Sequence, residues 1–447
     1  MRLELAKHET ALEAPAAPAD QLNRMEETGD FGILVAEKID DLRRYDVRAM
    51  DRVAAIMMWG RSGSFLLASY LDNHEDVVML PEGCAYALYD YFENHRSLSL
   101  RDKLIGYATF SPDYIRFFEG DFAISRTQYF AAVEAIAELY GDGLEEFLAS
   151  RRAFFVFVHI AYTLAVGRRL AGSRPLIVYA QHHWDETLAR HLAEDFPGAK
   201  FIHTIRDPIS SCDALFHFHQ DSIVEHHVYV PVSVLSFLID KDRPFSGLEE
   251  QTLVVRFEDL HTDLERVMHG LADWLGLTYG PTLLESTFNG IPYVMKRDGM
   301  AWSGRRVEQI KRLSRHISPK DRALLYAFFY DNFVAWGYPC PRVFRWRVVR
   351  GIVFFSLILV PLKMEIIAAR AIFHGRMLPA IRRGDLARVI KSSISLAFCR
   401  TRIVWRLTPA FVRRSIRRPA LLRLSLDRPP EPEACAAEEY CRERHEQ

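Results

Sequence analysis

The stretch Gly60-Arg61-Ser62-Gly63-Ser64 lies between the apolar run AAIMMW and the helical FLLASYLDNH. It has the residue types of an anion cradle. Two glycines let backbone N–H groups turn inward, and Ser62 and Ser64 add hydroxyl donors. Arg61 adds fixed positive charge, and the helix opening at Phe65 adds its N-terminal dipole. The pattern GxxxxGK[ST] is absent, because no Lys-Ser/Thr pair ends the loop; Mg-dependent triphosphate hydrolysis is therefore disfavoured. Taken alone, the loop also reads as a plain strand–turn–helix connection. A second charged turn ends KFIHTI, where Arg206 stands at the C-terminal end of a strand. Open α/β sheets bind ligands at such ends, and a guanidinium fork suits a phosphate. The same turn also has a capping role, with Asp207 before a helix whose first residue is Pro208. A third element is LVVRFEDLHTDLERVMHGLADWLGL, a strand giving way to an amphipathic helix.

Positioning these turns requires a sheet. VAAIMMW (53–59), VVML (77–80), PLIVYA (175–180), KFIHTI (200–205) and TLVVRF (252–257) are short apolar runs with few charges, the pattern of strands buried on both faces. Helical stretches separate them, so the fold class is α/β, a largely parallel sheet flanked by helices. The long insert 86–174 reads as mostly helical. PKDRALLYAFFYDNFVAWGY, from Pro319, reads as the closing helix of that domain.

The three charged segments, in this order, resemble those of the P-loop sulfotransferases that use 3′-phosphoadenosine 5′-phosphosulfate (PAPS). WGRSGSFLLASYLDNH, FPGAKFIHTIRDP and VRFEDL…WLGL carry the resemblance, and AWSGRRVEQIKRL is similar to that family's late basic loop. The likeness spans about 52–339 and is nearest to the polysaccharide and tyrosylprotein-type branch. It implies a P-loop-type fold and transfer of a sulfuryl group from PAPS to a hydroxyl, with no metal. Gly60 to Phe65 would hold the 5′-phosphosulfate. Arg206, with Ser210 or Ser211, would grip the 3′-phosphate, and Arg305 or Arg306 would close over it.

The resemblance also implies a base. Glu82 follows the second strand in VVMLPEG, 21 residues after Arg61, as in tyrosylprotein-type members. A hydroxyl is a poor nucleophile until its proton is accepted, and a placed carboxylate accepts it without metal. Glu82 can equally be a helix-start carboxylate before GCAYALYDYF. Three positions depart from the family. Ser64-Phe65 replaces Thr-Thr, and Ala214 stands where relatives carry a serine, eight residues after Arg206. Gln181 replaces a lysine that steadies the transferring group, so His182 or His183 would supply that donor, or take the proton in place of Glu82.

Composition bounds the remainder. The 447 residues are 49% hydrophobic, enough for a sizeable core. A net charge of −1 hides an uneven distribution: residues 341–425 carry +17, 426–447 carry −4, and 1–340 therefore −14. The chain divides into an arm and helix (1–50), the sulfotransferase-like domain (51–340), a basic amphipathic helical segment (341–425) and an acidic disordered tail (426–447). The basic segment has two readings: a subdomain packed on the acidic body, or a module binding an anionic membrane surface. The membrane reading is favoured, with the domain closing at Trp336 and folding without the segment. Its longest apolar block, GIVFFSLILVPL, is short of the roughly 20 residues of a spanning helix. The N-terminus lacks a signal-peptide core, so a cytoplasmic protein is expected, peripheral on the inner membrane face if bound there. No nucleic acid is expected. Six cysteines show no paired spacing, and the histidines no metal-ligand spacing. The acceptor is a carbohydrate, lipid or other small hydroxyl compound. The alternatives are a catalytically degenerate sulfotransferase-fold binding module at a membrane surface and, more remotely, a nucleotide-dependent kinase.

Overall fold

All five apolar runs are strands of one sheet. β1 (Val53–Met58), β2 (Val77–Met79), β3 (Leu176–His182), β4 (Lys200–Ile205) and β5 (Thr252–Arg256) lie in the order β2-β3-β1-β4-β5. β1 runs parallel to β3 and β4, and β2 parallel to β3. Every residue of β2 and β5 is buried, as runs without polar alternation require. β1 is central, with β2 and β3 on one side and β4 and β5 on the other. The chain thus reverses direction across the sheet between β1 and β4, the place where such sheets form a ligand crevice. Ala54 pairs with Lys200 and Met57 with His203, so β1 and β4 are held in one register.

This computed structural model describes residues 29–58, 61–81, 87–109, 118, 124–141, 147–168, 170–182, 184–224, 230–240, 245, 247–307 except 298 and 299, 310, and 315–416. Glu82, Gly60 and His183 lie outside the described residues, as does the whole tail 426–447; His182 is described for its backbone alone. The chain divides into two compact units: 1–58, 64–203 and 264–305 form the first, and 59–63, 204–263 and 306–447 the second.

The first unit opens with α1 (Gly29–Leu42) and α2 (Ser64–Leu71); α3 (Leu88–Asn94), α4 (Leu100–Thr109), α5 (Arg126–Tyr140) and α6 (Arg151–Val166) bear out the helical reading of the insert, and α7 (Glu186–Asp195) follows it. The last three open on side-chain caps: Ser125, Ser150 and Asp185 accept from the N–H groups of Gln128, Ala153 and Leu188. α6 is buried almost throughout, and its Phe155 packs against Tyr179 of β3 and Phe196. α11 (Leu264–Leu275) also belongs here. Two short antiparallel ladders, β6 (Thr287–Phe288) with β7 (Ile291–Pro292) and β8 (Val294–Arg297) with β9 (Met300–Ser303), were not legible in the sequence. Strands of two to four residues are too short to show a period. Polar side chains anchor them: Ser69 bonds Ser286, and the buried Asp72 accepts from Thr287 and Gly290.

The second unit contains α8 (Pro208–His219), α9 (Val230–Asp240), α10 (Phe257–Thr262) and α12 (Pro319–Ala335). Ser318 and Asp321 form a capping box at the start of α12. The basic segment follows as α13 (Arg347–Leu357), α14 (Lys363–Ile372), α15 (Leu378–Arg382) and α16 (Leu386–Ile416). One hydrophobic core joins them to the earlier helices. Phe354 of α13 and Phe411 of α16 stack at 4.0 Å, and both also meet Phe328 of α12. Arg350 pairs with Asp331, and Arg414 lies over Phe328 and bonds Asn332. Where the sequence reading closes the domain at Trp336, α12 instead shares this core with the segment that follows it. Ending the chain at 340 would uncover the apolar face of α12.

Buried His159 of α6 gives the first unit a pH signature. Burial lowers its pKa to about 4, although Nδ1 bonds the Phe155 carbonyl at 2.7 Å. Between about pH 6.5 and pH 4 the unfolded chain binds a proton that the folded chain refuses. Stability therefore falls as pH falls through that window. From pH 7 to pH 5, wild type should lose about 2 kcal/mol more than His159→Phe in urea unfolding. Equal losses would show that His159 is not held neutral.

Candidate functional site

The loop after β1 and the turn after β4 meet within the second unit. Thr204 in β4 places its hydroxyl 2.8 Å from Ser62 Oγ, and both are fully buried. Arg61 adopts the left-handed conformation, φ 64°, uncommon for a residue with a side chain. Arg206 holds that turn, donating from a terminal guanidinium nitrogen to the Arg61 carbonyl at 3.2 Å. The Arg61 side chain is exposed and lies over the Phe218 ring at 5.1 Å. Two guanidinium-bearing residues therefore converge on one turn. Burial pulls Arg206 below its ordinary pKa; Glu258 and Asp207 oppose that shift, and Arg61 adds a smaller push in the same direction as burial. An anion at the turn would favour the charged form of both arginines.

Gly63 shows how closely the parts fit. Its φ is 88°, and a Cβ there would lie 2.4 Å from the Phe257 ring, the first residue of α10. Glycine is required on both counts. The other face of the site uses the same ring, for Arg206 lies over Phe257 at 4.4 Å. Gly63→Ala should cost about 2 kcal/mol or more in denaturant unfolding, because it adds overlap to backbone strain. Gly141→Ala, at φ 76° with open space around it, should cost only the strain. Similar losses at both positions would mean that Phe257 moves aside freely.

The strand–helix edge VRFEDLH supplies the remaining groups. Glu258 accepts from the Asp207 N–H at 3.2 Å and from the Tyr338 hydroxyl at 2.6 Å. Burial raises its carboxyl pKa, with Tyr338 and Arg206 opposing. Both oxygens are engaged, so Glu258 braces the turn and is not placed to accept a substrate proton. Asp207 caps α8, accepting from the Ser210 N–H at 2.6 Å, with Pro208 leading the helix. The capping role read from the sequence is thus real, and it leaves Arg206 at the turn. His261 is buried, with its pKa lowered to about 4 by burial and then by Arg206. Its Nδ1 accepts from the Arg306 N–H at 2.8 Å, which assigns the proton of the neutral ring to Nε2.

The structure brings Arg61, Ser62, Gly63, Arg206, Ser210, Ser211 and Arg306 together in one unit. Ser211 is fully buried, and its hydroxyl has no hydrogen-bond partner among the described residues. Ser210 is half-buried. Ser64 and Phe65 open α2 in the first unit. Arg305 also belongs to the first unit, where its charge acts on buried Tyr70, whose pKa burial raises to about 12. Gln181 is buried in β3 and accepts from the Tyr179 hydroxyl. It pairs with Met57, and His182 with Met58, at the end of β1. Ala214 is buried in α8. Sequence reasoning quoted VRFEDL but singled out neither Phe257, Glu258 nor His261, and it missed Tyr338. Spacing offered a signal for the first three, which lie at i, i+1 and i+4 of one short helix.

The family model for sulfotransferases matches residues 55–281, just over half of the chain. The chain belongs to the sulfotransferase family. That match takes in the loop, the Arg206 turn and the VRFEDLH edge of this sulfotransferase. Among curated proteins none matches it. Similar solved structures include two sulfotransferase domains. The sulfotransferase domain from the curacin biosynthetic pathway is 16% identical with a TM-score of 0.39, covering 65% of this chain and 99% of that one. The sulfotransferase domain from the Synechococcus PCC 7002 olefin synthase is 17% identical with a TM-score of 0.33, covering 52% of this chain and 76% of that one. Among the described residues no His, Cys, Asp or Glu group could hold a metal ion.

Proposed function

We propose that the protein transfers a sulfuryl group from PAPS to a hydroxyl of a carbohydrate, lipid or other small acceptor. The observation that carries this reading is the turn itself: Arg206 donates to the Arg61 carbonyl and lies over Phe257, which brings two guanidinium-bearing residues to one turn. The donor is a compact polyanion with phosphates at its 5′ and 3′ positions. The residues present fit it. The Nε of Arg206 is buried without a hydrogen-bond partner among the described residues, a donor suited to a phosphate oxygen.

The roles then follow from chemistry. Arg61 and the loop N–H groups stabilise negative charge growing on the leaving 5′-phosphate, preorganised in place by the Arg206 bond. Arg206 faces the 3′-phosphate. Of the two serines, Ser210 has surface to offer, whereas Ser211 reaches a ligand only through its buried hydroxyl. Arg306, tied to His261, closes over the nucleotide, and Arg305 stands next to it in sequence. Glu82 takes the acceptor proton, in the polysaccharide and tyrosylprotein-type manner. His182 or His183 donates to the transferring group in place of the family's lysine.

One observation favours the catalytically degenerate reading. Gln181 stands at the lysine position and is held by Tyr179 within the sheet, so it is no substitute for a mobile cation. Labelled sulfate from PAPS, offered with a whole lipid and polysaccharide extract, separates the two. Incorporation establishes transfer. Nucleotide binding with no incorporation into any fraction supports the binding module.

A further inference from the structure

The helices after Pro341 have apolar residues on two faces, and only one of them is packed. Along α16, Cys399, Ile403, Leu407 and Ala410 enter the core at steps of three and four residues. On the opposite side, Leu386, Ile390, Ile394, Phe398, Trp405 and Ile416 are 52% to 80% exposed. α13 repeats the plan. Phe354 and Ile358 are buried, while Val348, Ile352, Phe355 and Leu359 are 50% to 72% exposed on the other face. Phe355 touches the buried Phe411 of α16 edge-on at 5.8 Å, so the exposed stripe of α13 borders the shared core there. A helix facing water carries polar residues on its outer side. Rows of large exposed apolar side chains of this kind mark an interaction site.

We propose that this outer face lies on an anionic lipid surface, its apolar side chains in the interface and its arginines at the headgroups. Charge selects that occupant. The described part of the segment, 341–416, holds 16 Lys and Arg against only Glu365 and Asp385. Both acids are already engaged, Glu365 with Arg400 at 2.7 Å and Asp385 with Arg388 at 3.9 Å. Cations stand beside exposed aromatic rings: Arg345 lies 4.8 Å over Trp346, and Arg402 lies 5.7 Å over Phe398. That pairing suits the boundary between acyl chain and headgroup, where long basic side chains reach outward from apolar surroundings. A second copy meeting this face would bring two strongly cationic surfaces together. Among the described residues no helix is long and apolar enough to cross a membrane, which leaves the interface as the lipid environment. The proposal stands independently of the nucleotide chemistry.

The full chain is the right probe, because the inner faces of these helices are part of a shared core. It should sediment with phosphatidylcholine vesicles containing 30% phosphatidylglycerol, poorly with pure phosphatidylcholine, and less as salt rises, since charges are screened over about 10 Å at 0.1 M. Replacing Ile390, Ile394 and Trp405 with serine should lower vesicle partitioning about tenfold or more without changing the circular dichroism spectrum. Ile33→Ser, an exposed apolar residue of α1, should leave partitioning unchanged. Equal sedimentation with both vesicle types, or an unaffected triple variant, overturns the proposal. So does a wild-type dimer that the triple variant dissociates without any vesicle binding, which would assign the face to a second copy.

Discussion

Arg206→Ala is expected to weaken binding of adenosine 3′,5′-bisphosphate by about 100-fold or more. Three losses coincide at this position. The side chain carries a buried Nε with no hydrogen-bond partner among the described residues, it holds the Arg61 carbonyl in its left-handed turn, and it balances the buried carboxyl groups of Glu258 and Asp207. Truncating one member of a desolvated charged pair costs about 2–5 kcal/mol, and each 1.4 kcal/mol is about a tenfold change in affinity. Calorimetric titration reads the result. Arg206→Lys separates the causes, since it keeps the charge but loses the planar fork. It should recover part of the affinity if charge dominates and little if the brace on Arg61 does. Affinity within a factor of three of wild type in Arg206→Ala would remove the turn from the nucleotide site.

Glu82→Gln is expected to leave PAPS affinity intact while cutting turnover by about 100-fold or more, the usual contribution of a general base. The substitution keeps size and shape and removes only the ability to accept a proton. Glu258, the glutamate of the VRFEDL edge, is engaged by Tyr338 and the Asp207 N–H, so it offers no replacement. The split between unchanged binding and lost turnover is what a helix-start carboxylate would not produce. Near-normal turnover would move proton acceptance to His182 or His183.

The sheet was legible because its strands are buried on both faces. TLVVR and KFIHTI carry almost no polar alternation, and the structure buries nearly every residue of both. Arg206 stood out in the sequence for a related reason: it is a charged residue directly after an apolar strand, and the structure places it at the turn that follows β4. The contacts that complete the site did not. That Gly63 is shaped by Phe257, nearly 200 residues later, is a property of packing with no local signature. The same holds for Tyr338, which reaches Glu258 from beyond α12. The basic segment shows the limit most clearly. Its arginine-rich texture suggested an appendage, but Phe354 and Phe411 make one face of it core. A helix with apolar residues on two sides hides from composition which side is buried, and only the position of its neighbours decides.

Titration of the wild-type protein with adenosine 3′,5′-bisphosphate in the presence of EDTA tests the central claim most directly. On the proposed reading the bisphosphate is held by arginines, loop N–H groups and hydroxyls at the turn. Saturable one-to-one binding should therefore appear without magnesium, and ATP should compete poorly because it lacks the 3′-phosphate. No binding of the bisphosphate, or heat seen only with ATP and magnesium, would contradict the account and point to triphosphate chemistry instead.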